Sequence, residues 1–269
     1  MIEINEYGDV TQIKLSRELN GNAIYWVAAY LVDGLLIDTG SNHTSDELIA
    51  FLKTRTIKQV VNTHYHEDHI GGNKKIQDTF GLDIFAHRES LPLINSRPHL
   101  YPYQEIAFGY PEPTEVKIVH DIIKTDKYKF MVMETPGHCK GHIVLMEMSE
   151  AWCFSGDIFA RENIKFIRPE ENLGEQIESL KKLISLAEDN LILFTAMGRI
   201  IENGKKALIE CIENLSALER EVKKLAKQGK SVEEILTLIF GGEHSFSQLT
   251  NGQFSSLNLM KSLLEHSEM

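Results

Sequence analysis

Short apolar runs at 12–17, 23–32 and 35–37 predict three strands near the start of the chain. Asp33-Gly34, set between two of these runs, predicts a two-residue hairpin. The period then lengthens. Leu48, Ile49 and Leu52 fall on one helical face within 45–53, and 57–61 reads as a strand again. A helix over 74–80 and a strand over 83–86 follow. Residues 88–114 are rich in proline and aromatics but lack a clean period. This stretch reads as an irregular insertion, which either roofs a site or packs on its own aromatics. Strand patterns return from residue 115, at 129–134, 143–148 and 151–154. An amphipathic helix over 170–188 presents Ile177, Leu180, Leu183, Ile184 and Ala187, and 191–195 reads as a buried strand. Three helices close the pattern, at 205–227, 231–240 with Ser231 as N-cap, and 255–264 beyond Gly241-Gly242. Strands alternating with helices of this length predict layered α/β architecture.

Composition narrows the class. A chain of 269 residues with 42% apolar residues can bury a sizeable core, as one large domain or as a domain with an appendage. No stretch approaches the ~18 continuous apolar residues of a membrane span, so no membrane partner is expected. The opening MIEINEYGDV lacks the basic and apolar regions of a secretory leader. Three cysteines, Cys139, Cys153 and Cys211, argue against a disulfide framework and for a reducing, cytoplasmic setting. Twenty-eight basic against 39 acidic side chains give a net charge of −11, which disfavours a nucleic-acid partner but leaves room for a local basic groove.

The chemistry concentrates in residues 60–73, VVNTHYHEDHIGGN. Residues two apart on an extended segment point the same way, so His64 and His66 can aim at one point. If a helix starts next, Asp68 and His69 sit on its first turn, beside that point. Imidazole and carboxylate are ligands that zinc accepts, and this layout suits two adjacent cations. Four residues cannot complete two shells, so further donors should come from later strand ends. Thr135-Pro-Gly-His138 and Ser155-Gly-Asp157 are the candidates, with Asp157 placed to bridge.

THYHEDHIGG, TPGHCKGH and FSGD, with LLIDTG upstream, resemble in order and spacing the hydrolases of the metallo-β-lactamase superfamily, over roughly residues 10–215. The resemblance implies an α+β fold: an αββα sandwich of two mixed sheets flanked by helices, with a metal site along one edge. It implies a domain over 1–215 and a C-terminal helical region over 216–269. On this footing His64, His66 and His138 match the ligands of a first metal, Asp68 and His69 those of a second, and Asp157 the bridge. Asp38 matches the aspartate that orients the ligands by hydrogen bonding. Asp68 would also act in catalysis, orienting a nucleophile and taking its proton. His142 reads as a structural neighbour, His87 as a loop histidine, and Cys139 as a small turn residue.

One position departs from the pattern. Relatives place a histidine in a P-G-H-G turn where this chain has Met197 in TAMGRII. A thioether is a poor donor for zinc or manganese, so the second site should be weakened. His244 is a remote substitute. The cofactor expected is zinc, one or two ions, with iron or manganese as alternatives. The end of the chain, from ALEREVKKL onward, is similar to the helical, winged-helix-like region of glyoxalase II-related, lactamase-like-2 proteins, some of which cleave RNA. Its basic residues Arg220, Lys223, Lys224, Lys227 and Lys230 also fit a solvated helix face.

The expected function is hydrolysis by a metal-activated hydroxide, acting on a small ester, thioester or lactone. The runner-up is an endoribonuclease or phosphodiesterase. A further alternative, resting on Met197, is a degenerate metal-binding sensor or scaffold. A di-iron oxidoreductase is disfavoured because His66 stands where such relatives carry glutamate. The apolar faces of the last helices would also suit a homodimer.

Overall fold

The computed structural model of the chain describes residues 1–265. A seven-stranded sheet takes in β1 (Ile2–Tyr7), β2 (Val10–Leu15), β5 (Val27–Val32), β6 (Leu35–Ile37), β7 (Gln59–Val61), β8 (Ile84–Ala86) and β9 (Lys117–Ile118), in that spatial order. A small ribbon, β3 (Glu18–Leu19) with β4 (Asn22–Ala23), lies apart from it. The first four strands pair antiparallel and the rest parallel, so the sheet is mixed. A second mixed sheet orders β10 (Ile122–Lys124), β11 (Lys129–Glu134), β12 (Ile143–Glu147), β13 (Trp152–Gly156), β14 (Ile192–Thr195) and β15 (Ile200–Ile201).

The alternation along β5 explains the layers. Ala28, Tyr30 and Val32 point to one face and join Phe130, Leu145, Phe154 and Phe194 of the second sheet in a shared core. Val27, Ala29 and Leu31 point to the other face, with Leu48 and Leu52 of α1 (Ser45–Leu52). All six β5 residues are buried, as a strand covered on both faces requires. α2 (Glu67–Ile70) and α3 (Asn73–Phe80) follow β7 on the same side as α1. The outer face of the second sheet, with Val144, Met146 and Cys153, is covered by α6 (Leu173–Leu186) and α7 (Gly204–Lys227). The result is the αββα sandwich that the motifs imply.

The region beyond residue 215 shares this packing. Val222 of α7, Ile235 of α8 (Val232–Phe240) and Leu259 and Leu263 of α10 (Ser256–Glu265) belong to the same buried cluster as α6 and the sheet. Residue 215 itself lies inside α7, and residues 266–269 of the expected C-terminal region lie outside the described residues. Ser231 caps α8 as read, its side chain accepting from the Glu234 amide at 3.2 Å. Four features differ from the reading. The run 23–32 is broken between β4 and β5; β1 is an additional, mostly exposed edge strand. The insertion holds two short helices, α4 (Leu91–Ile94) and α5 (Pro102–Ala107), and α9 (Ser245–Leu249) forms within GGEHSFS.

Candidate metal centre

Asp38 follows β6, the 62–69 stretch follows β7, His138 follows β11, Asp157 follows β13 and Met197 follows β14. All five segments therefore leave strand ends at one edge of the sandwich. The turn carrying the histidines is closed locally. Asn73 donates to the Asn62 side chain at 2.8 Å, and Asn62 donates to the His69 carbonyl at 3.2 Å. Gly71 packs so tightly on the Ser41–Asn42 backbone that no side chain fits there.

His64, His66, His138 and Asp157 are brought together with one donor atom each, all within 4.8 Å of one another. Asp68, His69 and Asp157 form a second such group, with Asp157 common to both. The hydrogen bonds select which ring nitrogen each histidine offers. Thr63 donates from Oγ1 to Asp38 at 2.8 Å, so that oxygen accepts from His64 Nδ1 at 3.0 Å and leaves His64 Nε2 free. His69 Nδ1 lies 2.8 Å from Asp38 Oδ2, which leaves its Nε2 facing Asp157 at 3.6 Å and Asp68 at 3.9 Å. His138 Nδ1 pairs with Glu171 at 3.2 Å, and Glu171 is held by the Arg168 backbone amide at 2.8 Å.

Three ring nitrogens thus converge. His66 Nδ1 sits 2.9 Å from both His64 Nε2 and His138 Nε2. One nitrogen cannot donate to both neighbours, whereas a cation among them satisfies all three lone pairs. The second group shows the same deficit, because His69 Nε2 and Asp68 Oδ1 are buried with no hydrogen-bond partner among the described residues. The donor set therefore fits a divalent metal, with nitrogen-rich ligation in one group and mixed ligation in the other.

The electrostatics follow the same division. Burial, with the neighbouring imidazoles and, for His66, the Arg168 guanidinium ahead of them, pushes His64, His66 and His142 well below the usual histidine range. Burial also works against charge on His69, but the carboxylates of Asp38, Asp68 and Asp157 outweigh it and raise that histidine. His138 is raised too, burial being outweighed by Glu171 and Asp157. Burial pushes Asp68 up to about 6. Asp157 resists burial because His69, His138 and His142 hold it well below the usual carboxylate range.

The remaining candidates lie elsewhere or are otherwise engaged. His142 accepts the Asp157 amide at 3.1 Å through Nε2 and pairs with Thr135 at 2.9 Å through Nδ1, so both nitrogens are used. His87 pairs with Glu134 at 3.0 Å. His244 caps α9, accepting from the Phe246 amide at 3.1 Å. Cys139 is buried, and burial raises its thiol well above the usual range. Met197 does reach the site. Its loop is tied to β5, with the Ala28 amide donating to the Ala196 carbonyl at 2.7 Å and the Tyr30 hydroxyl to the Thr195 carbonyl at 2.6 Å. The thioether accepts the Tyr25 hydroxyl at 2.9 Å. Thr63, Glu171 and Tyr25 went unnoticed in the sequence. Thr63 sits inside the histidine motif, while nothing in the local pattern marks Glu171 or Tyr25.

A cleft of about 400 Å³ opens on Asp68, His138 and Asp157. Its walls come from α5, from 160–168, and from α9 with Phe254. The insertion and the C-terminal region thus both roof the site.

A family model described as metallo-beta-lactamase superfamily matches residues 27–195. The chain is 32% identical over 134 residues to a Bacillus subtilis protein named probable metallo-hydrolase, covering 47% of this chain and 57% of that one. It is 29% identical over 180 residues to a beta-lactamase-like protein 2 homolog of Drosophila melanogaster (62% of this chain, 56% of that one). It is 27% identical over 156 residues to a hydroxyacylglutathione hydrolase of Haemophilus influenzae (53% and 72%). The matches thus span little more than half of the Bacillus and Drosophila proteins. Among solved structures, a beta-lactamase domain protein from Burkholderia ambifaria superposes with a TM-score of 0.73 at 16% identity, covering 97% of this chain and 87% of that one. That likeness is one of fold.

Proposed function

Because this chain belongs to the metallo-β-lactamase superfamily, we propose that it is a metal-dependent hydrolase of an ester, thioester or lactone. The observation that carries the reading is the sharing of Asp157 by two groups of donors whose facing atoms lack other partners. His64, His66, His138 and Asp157 would hold one cation, and Asp68, His69 and Asp157 a second. The three converging nitrogens favour zinc, with iron or manganese as alternatives. When bound, such a cation supplies Lewis acidity and lowers the pKa of water toward ~7.

The chain's own residues supply orientation and proton handling. Asp38 and Thr63 fix the rings of His69 and His64, and Glu171 fixes His138. Asp68, with its carboxyl raised by burial, lines the cleft and is placed to orient an attacking water and accept its proton. The mostly apolar walls keep bulk water from the reacting carbonyl and suit a carbon-rich substrate.

The family spans several reactions, so the substrate class rests on the cleft. The relative named hydroxyacylglutathione hydrolase supports a thioester. The lactamase-like-2 likeness keeps RNA cleavage as runner-up. Two residues of the basic stretch near residue 220 count against that runner-up, because Lys223 pairs with Glu219 and Lys230 with Glu234. Assays of the purified protein on S-lactoylglutathione, a homoserine lactone, bis-p-nitrophenyl phosphate and single-stranded RNA test the ranking. Turnover of a carboxylic substrate is expected; cleavage of RNA alone would overturn it. Bound metal without turnover of any substrate would favour a sensor or scaffold.

A further inference from the structure

Glu67 stands between His66 and Asp68 in the histidine turn, yet it belongs to neither donor group. It is 4% exposed, so its carboxylate depends on partners from the protein. Two reach it, both from the roof of the cleft. Gln104 of α5 donates from Nε2 to Glu67 Oε1 at 2.8 Å, and Arg168 Nη2 lies 3.6 Å from the same oxygen. Gln104 also accepts the Tyr101 amide at 2.8 Å, so the side chain that caps α5 is the one that ties it to the turn. Arg168 is buried as well, with its guanidinium over the Phe254 ring at 4.9 Å. Its neighbour Ile167 exchanges backbone hydrogen bonds with Ser255 at 3.1 and 3.3 Å. Three walls from distant parts of the chain, α5, 160–168 and the segment around Phe254, thus converge on one carboxylate beside Asp68. The far end of α5 is held separately, by Arg17 at the Ile106 carbonyl and His43 at the Glu105 carbonyl.

We propose, resting on the metal-dependent hydrolase reading above, that Glu67 is a positioning residue that couples the metal centre to the roof of the cleft. Apolar side chains of similar size would fill this space about as stably, because a buried ion pair offsets little more than its own desolvation. What the charged set adds is a fixed geometry. Once His66 and Asp68 on either side of it are held by a cation, the turn that carries Glu67 no longer shifts, and α5 and Arg168 are fixed over Asp68 with it. The coupling is reciprocal: a molecule seated under the roof that steadies α5 strengthens cation binding by the same factor. Glu171, which accepts the Arg168 amide and pairs with His138, gives the 160–168 wall a second link to the metal centre. Helix α5 is therefore the cleaner place to read the effect of Glu67.

Amide hydrogen exchange of the metal-free and the zinc-loaded chain, read in peptides that cover α5, tests this without a substrate. In the wild type zinc should slow exchange at Gln104, Glu105 and Phe108, whose amides are bonded within the helix, by about fivefold or more. In a Glu67→Met, Arg168→Met variant, which leaves no buried charge unpaired, the slowing should shrink to within about twofold while zinc still binds. Gln104→Glu is the companion variant. It keeps an acceptor for the Tyr101 amide and leaves the Glu67–Arg168 pair whole, but makes the contact with Glu67 repulsive, and it should lose the slowing too. A merely structural role would lower the melting temperature and leave the effect of zinc on α5 in place. Exchange in wild-type α5 that ignores bound zinc, or slowing that persists undiminished in both variants, would overturn the coupling and leave the hydrolase reading standing. A wild type that binds no zinc, iron or manganese would end both.

Discussion

The Tyr25 hydroxyl donates to the sulfur of Met197 at 2.9 Å, so the side chain at this position is held as a hydrogen-bond acceptor. Both residues line the cleft beside Asp68 and Asp157. The thioether thus has a structural partner at the position where the resemblance leads to the expectation of an imidazole, and among the described residues the second donor group consists of Asp68, His69 and Asp157.

Met197→His should therefore add a donor to that group. Elemental analysis is expected to show more metal per chain than in the wild type, with a parallel rise in turnover. Unchanged stoichiometry would show that position 197 does not limit the second site.

Asp38 accepts from the Thr63 amide and hydroxyl and faces His69 Nδ1, all at 2.8 Å. Asp38→Asn keeps the size and tolerates the left-handed backbone at φ +61°, but removes the charge that sets the His69 tautomer. Metal affinity, read by competition with a chromogenic chelator, should fall about 10–100-fold. Affinity within about twofold of wild type would remove Asp38 from the role assigned to it.

The raised carboxyl of Asp68 has a pH consequence in the metal-free chain. Its folded value of about 6 lies above the unfolded value of ~3.9. Its favourable contribution is then complete below about pH 4 and is lost as pH rises through about 6. Asp68→Asn should accordingly stabilise the chelator-treated protein by about 1–3 kcal/mol at pH 8 and by little at pH 4. Urea unfolding at the two pH values checks this; equal effects at both would contradict it.

Gly71 offers a test of the turn. A methyl group there would collide with the backbone at Ser41 and Asn42, which has no flexible end to move aside. Gly71→Ala should cost about 3 kcal/mol or more and loosen the histidine turn with it. A melting temperature unchanged from wild type would show that the segments separate more easily than their packing suggests.

Much of the fold was legible because buried strands leave short apolar runs and helices leave spaced ones, as in 191–195 and 170–188. The donors were legible for a local reason: His64, His66, Asp68 and His69 share one strand-to-helix turn, and His138 and Asp157 follow strand ends marked by glycine. Tyr25, Glu171 and Arg168 were not. Each reaches the site through packing of irregular segments, which leave no period to read. The roof was half legible. The insertion reads as irregular in sequence, but its helix α5 and the distant α9 meet over the cleft only once the sheets have stacked. The edge strand β1 escaped because most of it is exposed and its pattern is polar.

The central claim is that side chains 64, 66, 138 and 157 surround a cation. Anomalous diffraction from crystals of the purified protein, collected on both sides of the zinc edge and of the iron and manganese edges, tests it most directly. The account predicts a peak about 2.0–2.2 Å from His64 Nε2, His66 Nδ1, His138 Nε2 and an Asp157 oxygen, with a weaker one beside His69 Nε2. A map without density at that meeting point, from metal-replete protein, would contradict it.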